Sequence, residues 1–126
     1  VTQKVVAHVL DHIDYDAHLD NVRKVYKAKC DAMMRVFKEK GSSKVHLTQP
    51  TGGMFAWMTM PDTVDCDEFF EACMDKNVGI IKCGAFAADG VQNGHAFRLS
   101  YTVPTIPEIE KGMEILCALT KDYCGE

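Results

Sequence analysis

The first 41 residues place apolar side chains at the spacing of an α-helix. Residues 1–13 repeat them every three or four positions, which predicts a helix, and Asp14 or Asp16 can then cap a second one. The second helix is long, because its apolar stripe continues until Gly41 ends it. The stripe consists of Leu19, Val22, Tyr26, Cys30, Met33 and Phe37.

The middle of the chain predicts two strands joined by a turn. Residues 45–49 alternate weakly, and residues 50–53 contain the proline and glycines that a turn uses. Residues 54–60 predict a second strand with apolar side chains on both faces, which is typical of a strand covered on both sides. One face carries Met54, Ala56, Met58 and Met60, and the other carries Phe55 and Trp57. Because a small two-layer domain covers only one face, we expect the other face to meet something outside this chain.

Helix-capping patterns mark the starts of two further helices, at Asp65 with Glu68 and at Thr105 with Glu108. Between these helices we expect a strand over residues 78–82, a glycine-rich loop over residues 83–95 and a strand over residues 96–103. The resulting order of elements indicates an α/β protein, built as a two-layer mixed α+β sandwich. We expect a small mixed sheet with helices on one face.

The length of 126 residues is enough for one domain with one hydrophobic core. We therefore expect residues 1–126 to form a single domain. The chain begins inside a helical pattern, so we expect residues 1–13 to be the end of a helix that connects to a missing upstream domain.

Composition and charge exclude several classes of protein. A hydrophobic fraction of 47% argues against disorder. The net charge is −4 and no basic block is present, so we expect no nucleic-acid partner. No apolar run reaches the ~18 residues of a membrane span, so we expect no membrane partner. The six cysteines form no C-x-x-C pair, and with no signal-peptide pattern we expect reduced thiols and a cytoplasmic, or else mitochondrial, location.

Arg98 is the first candidate for chemistry. It is one of three arginines, and it lies in the middle of a predicted strand whose apolar neighbours point to the opposite face. A guanidinium binds a carboxylate through two parallel hydrogen bonds, which fixes both position and orientation. From strand chemistry alone, a solvent-facing or structural arginine is the alternative.

Three other segments have both a functional and an ordinary interpretation. The glycines of residues 50–55 allow close approach of a ligand or a domain, or else form a plain turn. The loop at 83–95 is a candidate lid, or else a surface loop. His8 and His12 have a spacing that can hold a metal, but solvated or capping histidines are the better explanation, and we expect no metal site.

Four segments in order resemble the class I and II aminotransferases. Residues 50–61, PTGGMFAWMTMP, resemble the motif P-x-G-G-M-F-x-W, and residues 97–101, FRLSY, resemble R-L-S-[FY]. Residues 78–86, VGIIKCGAF, are similar to the family's short strand and the loop after it, although Cys83 replaces the usual proline. Residues 26–37 resemble a segment of the family's long helix. The run G-x-F-x-x-x-G is most similar to the 2-aminoadipate and kynurenine aminotransferase branch.

The resemblance implies the C-terminal small domain of a fold-type-I enzyme that uses pyridoxal 5'-phosphate. It implies that Arg98 binds the substrate α-carboxylate, that Gly53 and Phe55 contribute to the substrate site, and that the loop around residues 84–90 lies near the entrance. The Schiff-base lysine and the other cofactor ligands would lie in the missing N-terminal large domain, so no catalytic or cofactor-binding residue is expected here and the fragment alone is inactive. The implied partners are an amino acid, a 2-oxo acid and, in the full-length protein, a second subunit of a homodimer.

Other functions remain open from the sequence. The same domain type also ends certain winged-helix transcriptional regulators, and the fold serves pyridoxal-phosphate-dependent lyases and synthases. An unrelated small binding module would instead place Arg98 in bulk solvent and expose no large apolar patch. The preferred amino acid does not follow from the sequence.

Overall fold

A computed structural model describes residues 1–88 and 94–126. The candidate lid at 83–95 includes residues 89–93, among them Gly90, which lie outside the described residues. The helices are α1 (Thr2–His12), α2 (Tyr15–Lys40), α3 (Cys66–Asp75) and α4 (Ile106–Cys124), and a 3-10 turn spans Cys83–Phe86. The strands are β1 (His46–Leu47), β2 (Phe55–Thr59), β3 (Ile81–Lys82) and β4 (Ala96–Ser100).

Side-chain caps set the starts of three helices. Asp14 accepts a hydrogen bond from the backbone N–H of Ala17 at 3.0 Å, so α2 begins directly after it. Asp65 caps α3 by accepting from two backbone N–H groups. Thr105 and Glu108 form the predicted capping box at the start of α4. The predicted helices are confirmed. Their capping contacts join residues only a few positions apart, so the sequence alone could predict them.

The four strands form one sheet in the order β1-β2-β4-β3. The fold class is confirmed, with a small sheet and helices packed over one face, but the expected mixed sheet is wrong. Every strand pair of the described residues is antiparallel. The connection from β2 through α3 to β3 leaves these two strands parallel to each other. They form no parallel pair, because β4 lies between them.

The hydrophobic core lies between the sheet and the helices. The side chains of Ala56, Met58, Phe97 and Leu99 enter it from the two central strands. Helices α2, α3 and α4 contribute Met33, Val36, Phe69, Cys73, Ile109, Met113 and Leu116. The Phe69 ring packs 5.3 Å from that of Phe97, centroid to centroid, which joins α3 to the sheet.

Two apolar surfaces stay outside this core. Helix α1 buries none of its residues, although its side chains include Val5, Val9 and Leu10. The sheet face opposite the helices exposes Phe55 and Ile81. The described residues contain no helix long and apolar enough to cross a membrane.

Gly94 lies beside the Cys83 side chain, at the start of the 3-10 turn. A Cβ added to Gly94 would overlap the Cys83 Sγ atom, whereas the Cys83 Cβ would be 3.6 Å away, an ordinary contact. Among the described residues, the Cys83 sulfur is therefore the one atom that a Cβ at position 94 would overlap.

We predict that Gly94→Ala lowers the free energy of unfolding by about 1–3 kcal/mol, because the added methyl overpacks this contact. Urea unfolding checks this, with Gly79→Ala as the control, since a Cβ at Gly79 meets no atom within 4 Å. In a Cys83→Ala background the cost of Gly94→Ala should fall to below about 0.5 kcal/mol. An equal cost in both backgrounds would show that overlap with the sulfur does not cause the loss of stability.

Candidate functional site

Arg98 lies on the sheet face that the helices leave uncovered. Its register partners are Trp57 on β2 and Ile81 on β3. Because directly paired residues point to the same face of a sheet, these three side chains form a row across the three strands. Phe55 is two residues before Trp57 on β2 and therefore shares this face.

Aromatic rings contact the Arg98 guanidinium from two elements. Its Cζ atom is 4.0 Å from the centroid of the Phe55 ring and 4.6 Å from that of the Phe86 ring. Both distances are well within the range of a cation–π interaction. Trp57 in turn packs edge-on against Phe86, with centroids 5.9 Å apart. We call Phe55, Trp57 and Phe86 the aromatic clamp.

The Nε atom of Arg98 is buried and has no hydrogen-bond partner among residues 1–88 and 94–126. Such a donor costs roughly 1–3 kcal/mol when it stays unpaired. Across the same residues, Arg98 also forms no ion pair with an acidic side chain, whereas Arg23 pairs with Asp20 and Arg35 with Glu110. Arg98 thus differs from Arg23 and Arg35, because no carboxylate of the described residues accepts a hydrogen bond from its guanidinium.

Gly53 lies in the turn before β2, on the same segment as Phe55. Its φ of +84° is the left-handed conformation that favours glycine. The buried Tyr101 donates its hydroxyl hydrogen bond to the Gly53 carbonyl at 2.9 Å, and so ties the turn to the end of β4. No atom lies within 4 Å of a Cβ added to Gly53, so this glycine is required for its backbone conformation and leaves open space beside it.

The structure brings Arg98 and Phe55 into direct contact and places Gly53 two residues away from Phe55 along the chain. Sequence reasoning missed Phe86 and Trp57 as neighbours of Arg98. The signal for Phe86 was present, since it is the one large apolar residue early in a glycine-rich loop. The signal for Trp57 was its place on the second apolar face of its strand.

The lysines do not fit covalent attachment of a carbonyl cofactor. A Schiff-base lysine is desolvated, which lowers its pKa, and none of the lysines is buried. Hydrogen bonds to acidic side chains instead raise the pKa of Lys27, Lys40 and Lys82, with Asp31, Glu114 and Asp67 as the respective partners.

Burial makes several of the thiols weaker nucleophiles, because it raises their pKa. Burial raises the pKa of Cys73 to about 12 and that of Cys117 to about 11. Cys66 lies 3.5 Å from His95 Nδ1, yet its pKa is also raised, mainly by burial. Within the described ranges, no cluster of three or more His, Cys, Asp or Glu side chains is arranged to hold a metal. Instead, His8 and His12 stack on each other along α1, with ring centroids 4.0 Å apart.

Comparison with known proteins points to one family. The chain is 30% identical over 113 residues to the 2-aminoadipate transaminase of Thermus thermophilus, a match that covers 90% of this chain and 28% of that protein. It is also similar to the crystal structure of LysN, the α-aminoadipate aminotransferase of the same organism, complexed with N-(5'-phosphopyridoxyl)-L-leucine. That match has a TM-score of 0.88 at 29% identity and covers 98% of this chain and 31% of LysN. The chain thus spans less than a third of these relatives.

A weaker match is to the HTH-type transcriptional regulator NorG of Staphylococcus aureus. It is 30% identical over 84 residues, which cover 67% of this chain and 19% of the regulator. No protein-family model matches the chain. The aminotransferase matches extend over more of the chain and agree with its three-dimensional structure. Over most of its length the chain therefore resembles the C-terminal small domain of the fold-type-I, pyridoxal-phosphate-dependent aminotransferases.

Proposed function

We propose that residues 1–126 are the substrate-binding small domain of an enzyme that transfers an amino group between an amino acid and a 2-oxo acid, and that Arg98 binds the substrate α-carboxylate. The observation that supports this proposal is the environment of the Arg98 guanidinium. It lies on the uncovered sheet face, and no acidic side chain of the described residues neutralises it.

Arg98 suits this role by its chemistry and by its surroundings. Two of its N–H groups can donate parallel hydrogen bonds to the two carboxylate oxygens, which fixes the orientation of the α-carbon. The rings of Phe55 and Phe86 lower the local dielectric constant, so that the ion pair is stronger than it would be in water. Since an amino acid and its 2-oxo acid both carry this carboxylate, one arginine serves both directions of the transfer.

Gly53 and Phe55 are the other two substrate-site residues in this proposal. Phe55 contacts the guanidinium, while the open space beside Gly53 leaves room for a substrate or a second domain to approach. The reaction needs pyridoxal 5'-phosphate, which supplies an electron sink for the α-carbon when it is bound. The lysines of this chain do not fit its attachment, so we assign the cofactor to a large domain and expect the chain alone to be inactive.

The exposed apolar surfaces support a partner domain. Helix α1 exposes apolar side chains along its length, as expected if residues 1–13 end a helix that continues into the large domain. The exposed Phe55 and Ile81 on the site face fit a surface that a second domain covers. We further propose that the complete protein is a homodimer, as the family resemblance implies.

The match to NorG supports a second candidate, an effector domain of a winged-helix transcriptional regulator. In that case Arg98 would bind the carboxylate of an effector, and ligand binding would control DNA binding instead of chemistry. A lyase or synthase of the same fold is a third candidate, because a fold does not determine a reaction.

We predict that the complete protein with pyridoxal 5'-phosphate shows an internal-aldimine absorption band that shifts to the pyridoxamine form with one or more amino acids. The panel is L-2-aminoadipate, L-kynurenine, L-leucine and an aromatic amino acid. Amino-group transfer to the cofactor causes the shift, which visible absorption spectra record. A bound cofactor that no amino acid converts would support the regulator or the lyase instead.

We predict that Arg98→Lys lowers kcat/KM for the reactive amino acid by roughly 10- to 100-fold while the cofactor stays bound. Lysine keeps the charge but loses the paired geometry, and a hydrogen bond to a charged group contributes about 1.5–3 kcal/mol. Steady-state kinetics check this, with Arg23→Lys as the control, because Arg23 forms an exposed ion pair with Asp20. Equal kinetics in the two variants would remove Arg98 from the substrate site.

A further inference from the structure

Arg98 is the arginine that aromatic rings hold in place, whereas acids hold the other two. Arg23 and Arg35 direct N–H donors to Asp20, Glu39 and Glu110. At Arg98 the close neighbours of the guanidinium carbon are the Phe55 and Phe86 rings, at 4.0 and 4.6 Å. A phenyl ring attracts a cation without offering an oxygen that competes with a carboxylate. The clamp therefore holds the guanidinium, and no acidic side chain of the described residues competes with a ligand for its charge.

Holding the guanidinium in advance matters because an arginine side chain is flexible. It carries about 2 kcal/mol of rotamer entropy, much of which a free side chain would lose on binding a carboxylate. Contacts that order the side chain before the substrate arrives remove part of this cost from the binding step.

Phe86 has support that does not depend on Arg98. Trp57 packs against its ring from β2. Lys82, just before the 3-10 turn, forms an ion pair with Asp67 on α3 at 2.8 Å. Its ammonium group also lies 4.9 Å from the centroid of the Phe70 ring. Contacts with α3 and β2 thus fix the 3-10 turn, and the turn places Phe86 beside the guanidinium.

Phe86 contributes little to the hydrophobic core, since 47% of its surface is exposed. A large hydrophobic side chain that stays exposed while contacting a charged group is poorly explained by core packing. Its replacement should therefore change the site without unfolding the domain.

We propose that Phe86 is a positioning residue of the carboxylate site, which acts by orienting the Arg98 guanidinium together with Phe55. This inference rests on the proposed role of Arg98. Phe86, in the 3-10 turn after β3, is then the second ring that orients the guanidinium. The conformation of this turn therefore controls how well the enzyme binds every substrate that carries the α-carboxylate.

The test compares three variants of the complete enzyme, with the amino acid that converts the cofactor as substrate. Phe86→Leu removes the ring and should raise KM about two- to fivefold, the factor expected for one exposed cation–π contact, with a smaller change in kcat. Phe86→Tyr keeps the ring and should restore KM to within error of the wild-type value. Tyr15→Leu is the matched control, because this exposed ring lies at the start of α2 and is not one of the clamp residues.

A double-mutant cycle separates an action through Arg98 from a direct contact with substrate. If Phe86 acts by orienting the guanidinium, Phe86→Leu should have little further effect on KM in an Arg98→Lys background. A full effect of Phe86→Leu in that background, or an effect no larger than that of Tyr15→Leu, would overturn the inference. If Arg98→Lys alone leaves KM unchanged, the proposed role of Arg98 has failed first, and the two failures are thereby distinguished.

Discussion

The antiparallel pairing of β2 with β4 is the constraint on which the rest of the structure depends. Its register runs from Phe55 opposite Ser100 to Thr59 opposite Ala96. This register places Met58 beside Phe97 in the core and Trp57 beside Arg98 on the other face. A shift of one residue would exchange the two faces, since side chains alternate along a strand. The same backbone hydrogen bonds thus organise both the core and the candidate site.

The two faces of the sheet meet different physical requirements. The helix-covered face is filled by buried apolar side chains such as Met58 and Phe97, which provide the stability of the fold. The opposite face carries a cation, aromatic rings and exposed apolar surface, which a small isolated domain has no reason to place together. The proposed division of the substrate site between two domains would account for this arrangement, because a face that a second domain covers must stay open in the small domain.

Short-range signals predicted most of the elements. The periodic stripe of α2 and the capping box at Thr105 each act within a few residues, so the sequence alone located these helices. The two-sided apolar pattern of residues 54–60 likewise indicated a strand with one face turned away from the helices. The insertion of β4 between β2 and β3 was not predicted, because strand order depends on contacts between distant segments.

The site was predicted only in part, for the same reason. Arg98 stood out as an arginine in the middle of a strand, and the family resemblance added Gly53 and Phe55. Phe86 contacts both Trp57 and the Arg98 guanidinium, and these contacts join three segments of the chain, so no local pattern could indicate them. The short strands β1 and β3 were predicted too long, since their extent depends on hydrogen bonds to their neighbours.

The most direct measurement is a crystal structure of the complete protein with pyridoxal 5'-phosphate and a bound amino acid. The account predicts that both α-carboxylate oxygens lie within hydrogen-bonding distance of the Arg98 guanidinium, with Phe55 and Phe86 in contact with it. A carboxylate held by another residue, with Arg98 turned away from the substrate, would contradict the account.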